Sequence, residues 1–476
     1  MTNVAVAGRA MLTITSVGAS LLLTLNPGCF SDFAERSCQM DPEDSVSLSA
    51  RPAEDSDSPS TRGWLTFANR QLSNLLPAGA AGPLVTEQLV RTDGKPIDVF
   101  NHFGINPDGL QTLLMNSRGL KYSAQASSRD YFIERQASPW PGFEDIWVPM
   151  QLPTADKLSL SGRLGYARDA QGNIKDAVCL VILPGMFGDH GVRRSQDLAI
   201  PLREAGFHVL SLELRGHGQT EKRYPRMHHA FGAFETDDLM QVSDWLEGQP
   251  HVLRTGLIAF CWNANIALLA AWYDGSMPDD PLISSTIRRN LVAYDSHMRR
   301  FSAGIMAISP IVRGEVLMDE LDHARARWKH PLYAAIQDTI RDRMKRKGYP
   351  VTGSLRQLMD DEYGGYNVPM THGLLEGYSM LRLVDYKNQS AGNKLEFARM
   401  PVIILHGADD PLVPAQDIAD LVAGVENPRV AAIIFPSGGH VGFAGYAPKY
   451  YFSLVMNFFD PLRGAAANFQ PARVGS

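Results

Sequence analysis

Across its last two-thirds the chain repeats one pattern: a short, largely continuous apolar run followed by a stretch with helical periodicity. The apolar runs cover 177–183, 207–214, 255–261, 303–308, 401–405 and 430–435. Strands with one wet face alternate polar and apolar residues, whereas continuous runs suit strands buried on both faces. Helical patterns at 193–205, 235–247, 263–273, 415–423 and 448–459 fall between and after these runs. Two more strands are expected at 145–150 and 158–167, the second ending in the turn Asp169-Ala170-Gln171-Gly172-Asn173. Strands alternating with helices predict an α/β fold: a mostly parallel, doubly wound sheet with right-handed crossovers.

The gap at 311–399 breaks the rhythm. About ninety residues are too many for a structureless loop, and the gap contains a charged helical stretch at 324–347. A helical cap over the carboxyl end of the sheet is the expected reading, because ligands bind there in open α/β folds. The first part of the core then spans 143–310 and the second part 400–465, with a tail at 466–476.

Upstream of the core, 63–142 carries Trp64, Phe67, Leu72 and Leu75 at helical spacing and a second helical pattern at 107–117. It is expected to form an extension packed on the core. Segment 31–62 is rich in Ser, Asp, Glu and Pro and poor in large apolar residues. It cannot bury enough surface to offset its ordering entropy, which predicts a disordered linker. Segment 1–30 is signal-like or an anchor: Arg9 precedes an apolar stretch at 11–25, shorter than the ~20 residues a spanning helix needs. Asn26-Pro27-Gly28-Cys29 resembles a lipoprotein cleavage box, although Asn26 stands where an aliphatic residue is usual. Export or membrane association through this segment and a cytoplasmic location both remain open.

A net charge of -6 argues against a nucleic-acid partner, since phosphate binding needs a basic surface. Four cysteines are too few for a disulfide scaffold in 476 residues. Cys29 and Cys38 could pair if exported; Cys179, inside an apolar run, reads as a buried small hydrophobe. No zinc-type cluster and no phosphate-cradling glycine loop is apparent, so no cofactor or metal is expected.

The fourth cysteine stands apart. Cys261 ends an apolar run and precedes an alanine-rich helical pattern, in Ala259-Phe260-Cys261-Trp262-Asn263-Ala264. A nucleophile on a sharp strand-to-helix turn needs a base, an acid to orient it, and donors for an oxyanion. Each has a candidate past a later strand end. His406-Gly407-Ala408-Asp409-Asp410-Pro411 supplies acids, and Gly438-Gly439-His440-Val441-Gly442-Phe443 supplies a histidine between glycines. The expected nucleophile is Cys261 and the expected base His440, with Asp410 or Asp409 as the acid and Glu315 as a distant backup. Backbone N–H groups of Trp262, at a helix start, and Met186, after Pro184-Gly185, are the expected oxyanion donors.

Residues 143–462 resemble α/β-hydrolases of the YheT-like, embryogenesis-associated group, related to ABHD-type acylglycerol and phospholipid hydrolases. The resemblance rests on Leu214-Arg215-Gly216-His217-Gly218, on His229 with Glu235-Thr236-Asp237-Asp238-Leu239, and on the cysteine, aspartate and histidine motifs above. It implies the α/β-hydrolase fold, Asp410 as the triad acid, and structural roles for His217, His228 and His229. It also implies a small-molecule acyl ester or thioester as substrate. The family pattern Gly-x-Ser-x-Gly-Gly is replaced here by Ala259, Cys261, Asn263 and Ala264, and the usual His-Gly of the oxyanion loop by Pro184-Gly185. Asn263 puts volume where the fold leaves almost none. Three readings follow: an ester or thioester hydrolase working through an acyl-enzyme, a polyhydroxyalkanoate-synthase-like acyltransferase using hydroxyacyl-coenzyme A, and an inactive pseudo-hydrolase acting as a binding module.

Overall fold

The computed structural model describes residues 45–48, 60–105, 118–119, 121–123, 139–152, 157–186, 188–225, 227, 229–230, 232, 234–276, 299–314, 317, 341, 345 and 393–459. Segment 1–30, the tail 466–476, Cys38, His228, Glu315 and nearly all of the expected cap lie outside these residues.

The described strands are β1 (Leu84–Val85), β2 (Glu144–Met150), β3 (Leu158–Gly165), β4 (Ala177–Leu183), β5 (His208–Glu213), β6 (Val252–Phe260), β7 (Gly304–Ile308), β8 (Val402–Gly407) and β9 (Val430–Phe435). They form one nine-stranded sheet in the order β1-β9-β8-β7-β6-β4-β5-β3-β2. Strands β5, β4, β6, β7, β8 and β9 pair in parallel, while β3 and β2 at one edge and β1 at the other are antiparallel. The helices used below are α1 (Thr61–Leu72), α2 (Arg193–Glu204), α3 (Glu235–Glu247), α4 (Trp262–Gly275), α5 (Ala415–Ala423) and α6 (Pro448–Phe459).

The continuous apolar runs have the physical cause expected of them. Along β4, Cys179, Val181 and Leu183 join one core cluster, while Val178, Leu180 and Ile182 join another on the opposite face. Every residue of β4, β7, β8 and β9 is buried. Each such Leu, Ile or Val contributes roughly 1.5–3 kcal/mol on leaving water, so register here is fixed from both sides. Helix α4 is buried from Trp262 through Asp274, packed between the sheet, α3 and a 3-10 turn at Lys394–Phe397. That explains its near-uniform apolar sequence.

The N-terminal extension does more than pack on the core. Ser60 caps α1 by accepting from the Gly63 N–H, and the helix takes in Thr61 and Arg62, the last residues of the expected linker. Downstream, Leu84 and Val85 pair with Ile434 and Ile433, so the extension continues the sheet beyond β9. Residues 45–48, also inside the expected linker, dock on α6. The Val46 N–H donates to Ser453 Oγ at 3.0 Å and the Leu48 N–H to Asn457 Oδ1 at 3.0 Å. Average composition hides such a contact, since one apolar residue and two backbone donors suffice to make it.

Candidate active site

β6 is a central strand flanked by β4 and β7, and Cys261 is the one residue between it and α4. Its N–H donates to the Ile308 carbonyl at 2.9 Å, extending the β6–β7 ladder, and its carbonyl accepts from Ala264 N–H at 3.1 Å in the first helical turn. Both bonds at one residue force a sharp reversal, and Cys261 adopts φ 60, ψ -129. A non-glycine residue held there costs about 1–3 kcal/mol and persists only where its surroundings impose it. The side chain is half-buried and packs against both core clusters, at the seam where they meet.

Asn263 resolves differently from its sequence expectation. It lies in the first turn of α4, is buried, and is not among the residues with positive φ. Its side-chain amide donates to the Pro184 carbonyl at 2.6 Å. Thus two of the positions where the chain departs from the family pattern are bonded to each other, and the bond ties the loop after β4 to the start of α4. Met186 sits in that loop, half-buried, with the turn closed by Gly188 N–H on the Gly185 carbonyl at 2.8 Å. Trp262 is buried, and its N–H favours the thiolate form of Cys261.

Asp410 follows β8. Its Oδ1 accepts from the Leu412 and Val413 N–H groups at 2.8 and 3.0 Å, and its Oδ2 lies 2.9 Å from His440 Nδ1. The carboxylate therefore has a fixed orientation, with His440 protonated at Nδ1. His406 Nε2 lies 3.6 Å from the same Oδ2 and donates to Val413 O at 2.9 Å. Burial pushes the Asp410 carboxyl up, but the His440 charge and hydrogen bond outweigh it and hold the group below its ordinary value. Asp409 faces elsewhere. It accepts from Ser437 Oγ at 2.6 Å and from the Gly439 N–H at 2.8 Å, and burial raises its pKa to about 6.

His440 Nε2 is buried and falls short of full hydrogen-bond geometry to any described acceptor, the thiol included. The imidazole and the thiol are nonetheless close enough for each to shift the other's ionisation. Burial lowers the His440 pKa, while the Asp410 carboxylate and the Cys261 thiolate raise it more strongly, to about 10. Burial likewise pushes the Cys261 thiol up, yet the nearby His440 charge, with the Trp262 N–H and Arg194, brings it below its ordinary value. Arg194 lies 4.7 Å over the ring of Phe260, one residue before the thiol. The combination favours a thiolate–imidazolium pair.

His217 and His229 hold loops. His217 Nδ1 bonds the Arg215 carbonyl at 2.9 Å, and His229 stacks edge-on against it while facing Glu235 at 3.1 Å. Arg215 and Asp238 form a buried bidentate pair at 2.6 and 2.5 Å. Among the described residues no cluster of His, Cys, Asp and Glu could hold a metal ion. An open cleft of about 420 Å³ between Leu84 and His102 shares no residue with the Cys261 site.

Asp409, the alternative acid, instead holds the loop carrying His440, together with Ser309 and Ser123, which no sequence motif singles out. The N–H groups of Gly439, His440 and Val441 donate in turn to Asp409 Oδ1 at 2.8 Å, Ser123 Oγ at 2.7 Å and Ser309 Oγ at 3.2 Å. No local motif could reveal Ser123 or Ser309, because each lies more than a hundred residues from its partner.

The model of the alpha/beta hydrolase family matches residues 180–450, more than half of the chain. No curated protein matches it. Among solved structures, the esterase Pf2001 of Pyrococcus furiosus is similar with a TM-score of 0.40 and 18% identity, over 68% of this chain and 96% of its own. The alpha/beta hydrolase GrgF of a Penicillium species is similar with a TM-score of 0.41 and 17% identity, over 68% of this chain and 99% of its own.

Proposed function

Because the chain belongs to the alpha/beta hydrolase family, we propose that it hydrolyses carboxylic esters or thioesters of small acyl substrates through a Cys261–His440–Asp410 triad, within the YheT-like group. The observation that carries this reading is Cys261 itself: held at φ 60 between the central strand and α4, beside a histidine bonded to Asp410 at 2.9 Å.

The Cys261 thiolate attacks the acyl carbon, and the carbonyl π electrons move onto oxygen. N–H groups of Trp262 and Met186 hold that oxyanion, a contribution of roughly 3 kcal/mol per donor in comparable sites. Collapse of the tetrahedral adduct breaks the bond to the alcohol or thiol, which takes the proton from His440 Nε2. A thioester on Cys261 remains. Water then gives a proton to His440 and its hydroxide to the acyl carbon, releasing the carboxylic acid and restoring the thiolate and imidazolium. Asp410 stays ionised throughout and holds the imidazole in its Nδ1–H tautomer. These steps use only side chains, backbone amides and water.

The Asn263–Pro184 bond supports a working site over a pseudo-hydrolase. Loss of function relaxes constraints at a site, whereas here two altered positions are joined by a buried 2.6 Å hydrogen bond. The test is intact-protein mass spectrometry after mixing with p-nitrophenyl acetate. An acetyl adduct on Cys261 that decays with release of acetate is the expected result. A folded protein giving neither adduct nor turnover would leave only the binding-module reading. Polymer formed from hydroxybutyryl-coenzyme A would identify an acyltransferase instead.

A further inference from the structure

The loop that carries His440 is suspended by its backbone. Three consecutive N–H groups, of Gly439, His440 and Val441, are each bound by a side-chain oxygen from a different part of the chain. Asp409 and Ser309 come from the ends of β8 and β7 and belong to the hydrolase core. Ser123 comes from the N-terminal extension, outside the residues the family match covers. Its hydroxyl has one proton, and this goes to the Gly119 carbonyl at 2.6 Å. The Ser123 lone pairs are therefore the acceptor for His440 N–H, and the direction of the bond is settled.

Gly119 and residues 121–123 are seated against both loops of the proposed triad. A Cβ on Gly119 would stand 1.9 Å from the Asp409 carbonyl oxygen. One on Gly439, which has φ +55, would stand 2.1 Å from the Gly119 oxygen, and one on Gly442 would stand 2.6 Å from the Tyr122 oxygen. Three glycines thus mark where backbones meet with no room for a side chain. Tyr122 closes the contact by packing edge-on against Tyr446, with ring centroids 5.8 Å apart. Ser123 is buried, so no solvent replaces its bond to His440.

From this geometry we infer that Ser123 is a positioning residue for His440, and that the N-terminal extension completes the active site of the hydrolase core. The inference rests on the acyl-transfer reading of Cys261, His440 and Asp410. Asp410 fixes the far end of the imidazole; Ser123 fixes the main chain from which the imidazole projects. With only one of the two, the Nε2 end can swing relative to the thiol, and small displacements of a reacting group are costly in rate.

Full-length wild type, Ser123→Ala, Ser123→Thr and Gly119→Ala are compared for p-nitrophenyl acetate turnover and for the pH profile of Cys261 alkylation by iodoacetamide. Ser123→Ala is expected to lower kcat about tenfold with KM within about twofold, and to move the alkylation profile to higher pH. Ser123→Thr keeps the hydroxyl and should restore both. Gly119→Ala, which pushes the segment off the Asp409 loop, should behave like Ser123→Ala. If Ser123→Ala turns over substrate and alkylates like an active wild type, with only Tm changed, the positioning role is overturned while the triad stands. If wild-type Cys261 alkylates like an ordinary thiol and is indifferent to His440→Ala, the acyl-transfer reading falls and this inference falls with it.

Discussion

Cys179 lies within β4 and Cys261 just past the end of the adjacent strand β6, and their ionisation diverges because of that difference in position. Cys179 is in the middle of β4, paired in register with Thr255 of β6, and has no exposed surface. Burial alone acts on its thiol and pushes it far above the ordinary range. Cys261 sits one residue past the carboxyl end of β6, where the ladder stops, a helix starts and the loops after β8 and β9 converge. The thiol there meets His440 and the Trp262 N–H, and its pKa moves down instead. Burial acts in the same direction on both. The two thiols shift in opposite directions because charged partners gather at the ends of a parallel sheet rather than along its strands.

The sharpest way to break this contrast is to remove each thiol. Cys261→Ala should abolish esterase turnover, a loss of about 10⁴-fold or more, whereas Cys179→Ala should leave kcat nearly unchanged and lower Tm by a few degrees through lost packing. Comparable losses of turnover in the two variants, both folded by circular dichroism, would contradict the comparison. The acids give the next contrast. Asp410→Asn should reduce kcat about 10³- to 10⁴-fold by spoiling the His440 tautomer, while Asp409→Asn, which loosens only the loop, should cost about tenfold. Equal effects from the two substitutions would mean that Asp410 has no privileged role.

Thiol reactivity provides a third test. At pH 7, iodoacetamide should label Cys261 in the native protein and leave Cys179 untouched until the chain is unfolded. In His440→Ala the Cys261 rate should fall by about 10- to 100-fold, because only the smaller effects of the Trp262 N–H and Arg194 then oppose burial. Tandem mass spectrometry of the labelled peptides distinguishes the two sites. Asn263→Ala, which removes the bond to Pro184, should lower kcat about tenfold with little change in KM, as measured by steady-state kinetics. A larger effect on KM than on kcat would show that the bond serves substrate binding rather than the oxyanion loop.

The smallest effect is on stability against pH. The His440 pKa is raised from 6.5 to about 10, so its contribution is complete below pH 6.5 and is lost as pH rises through about 10. The Cys261 pKa is lowered from its ordinary 9.0, so its contribution is present above that value and lost as pH falls through the folded pKa. The two slopes offset one another between pH 6.5 and 9, because folding there only moves a proton from thiol to imidazole. Wild-type Tm should be flat across that window, apart from groups elsewhere, and should decline towards pH 10. In Cys261→Ala the decline should begin near pH 6.5. Differential scanning calorimetry of both proteins across this range measures the difference, and coincident profiles would rule out the ion pair.

The sequence by itself determined the sheet and the order of its parts. Continuous apolar runs at β4, β6, β7, β8 and β9 leave little choice but strands covered on both faces. Cys261, Asp410 and His440 could be read because each follows such a run directly, and local chain geometry delivers it to the same end of the sheet. The choice of Asp410 over Asp409 came from the family resemblance, and in the structure it is Asp410 that faces His440. Tertiary structure alone decided the rest. Asn263 looked like an obstruction and is a donor to Pro184, in the loop after β4 and 79 residues upstream. The extension looked like a packed appendage, yet it adds β1 to the sheet and Ser123 to the His440 loop across 317 residues of sequence. Periodicity and motif spacing record what neighbouring residues do together. A hydrogen bond between distant segments leaves no trace in either, because its partners become neighbours only when the chain has folded.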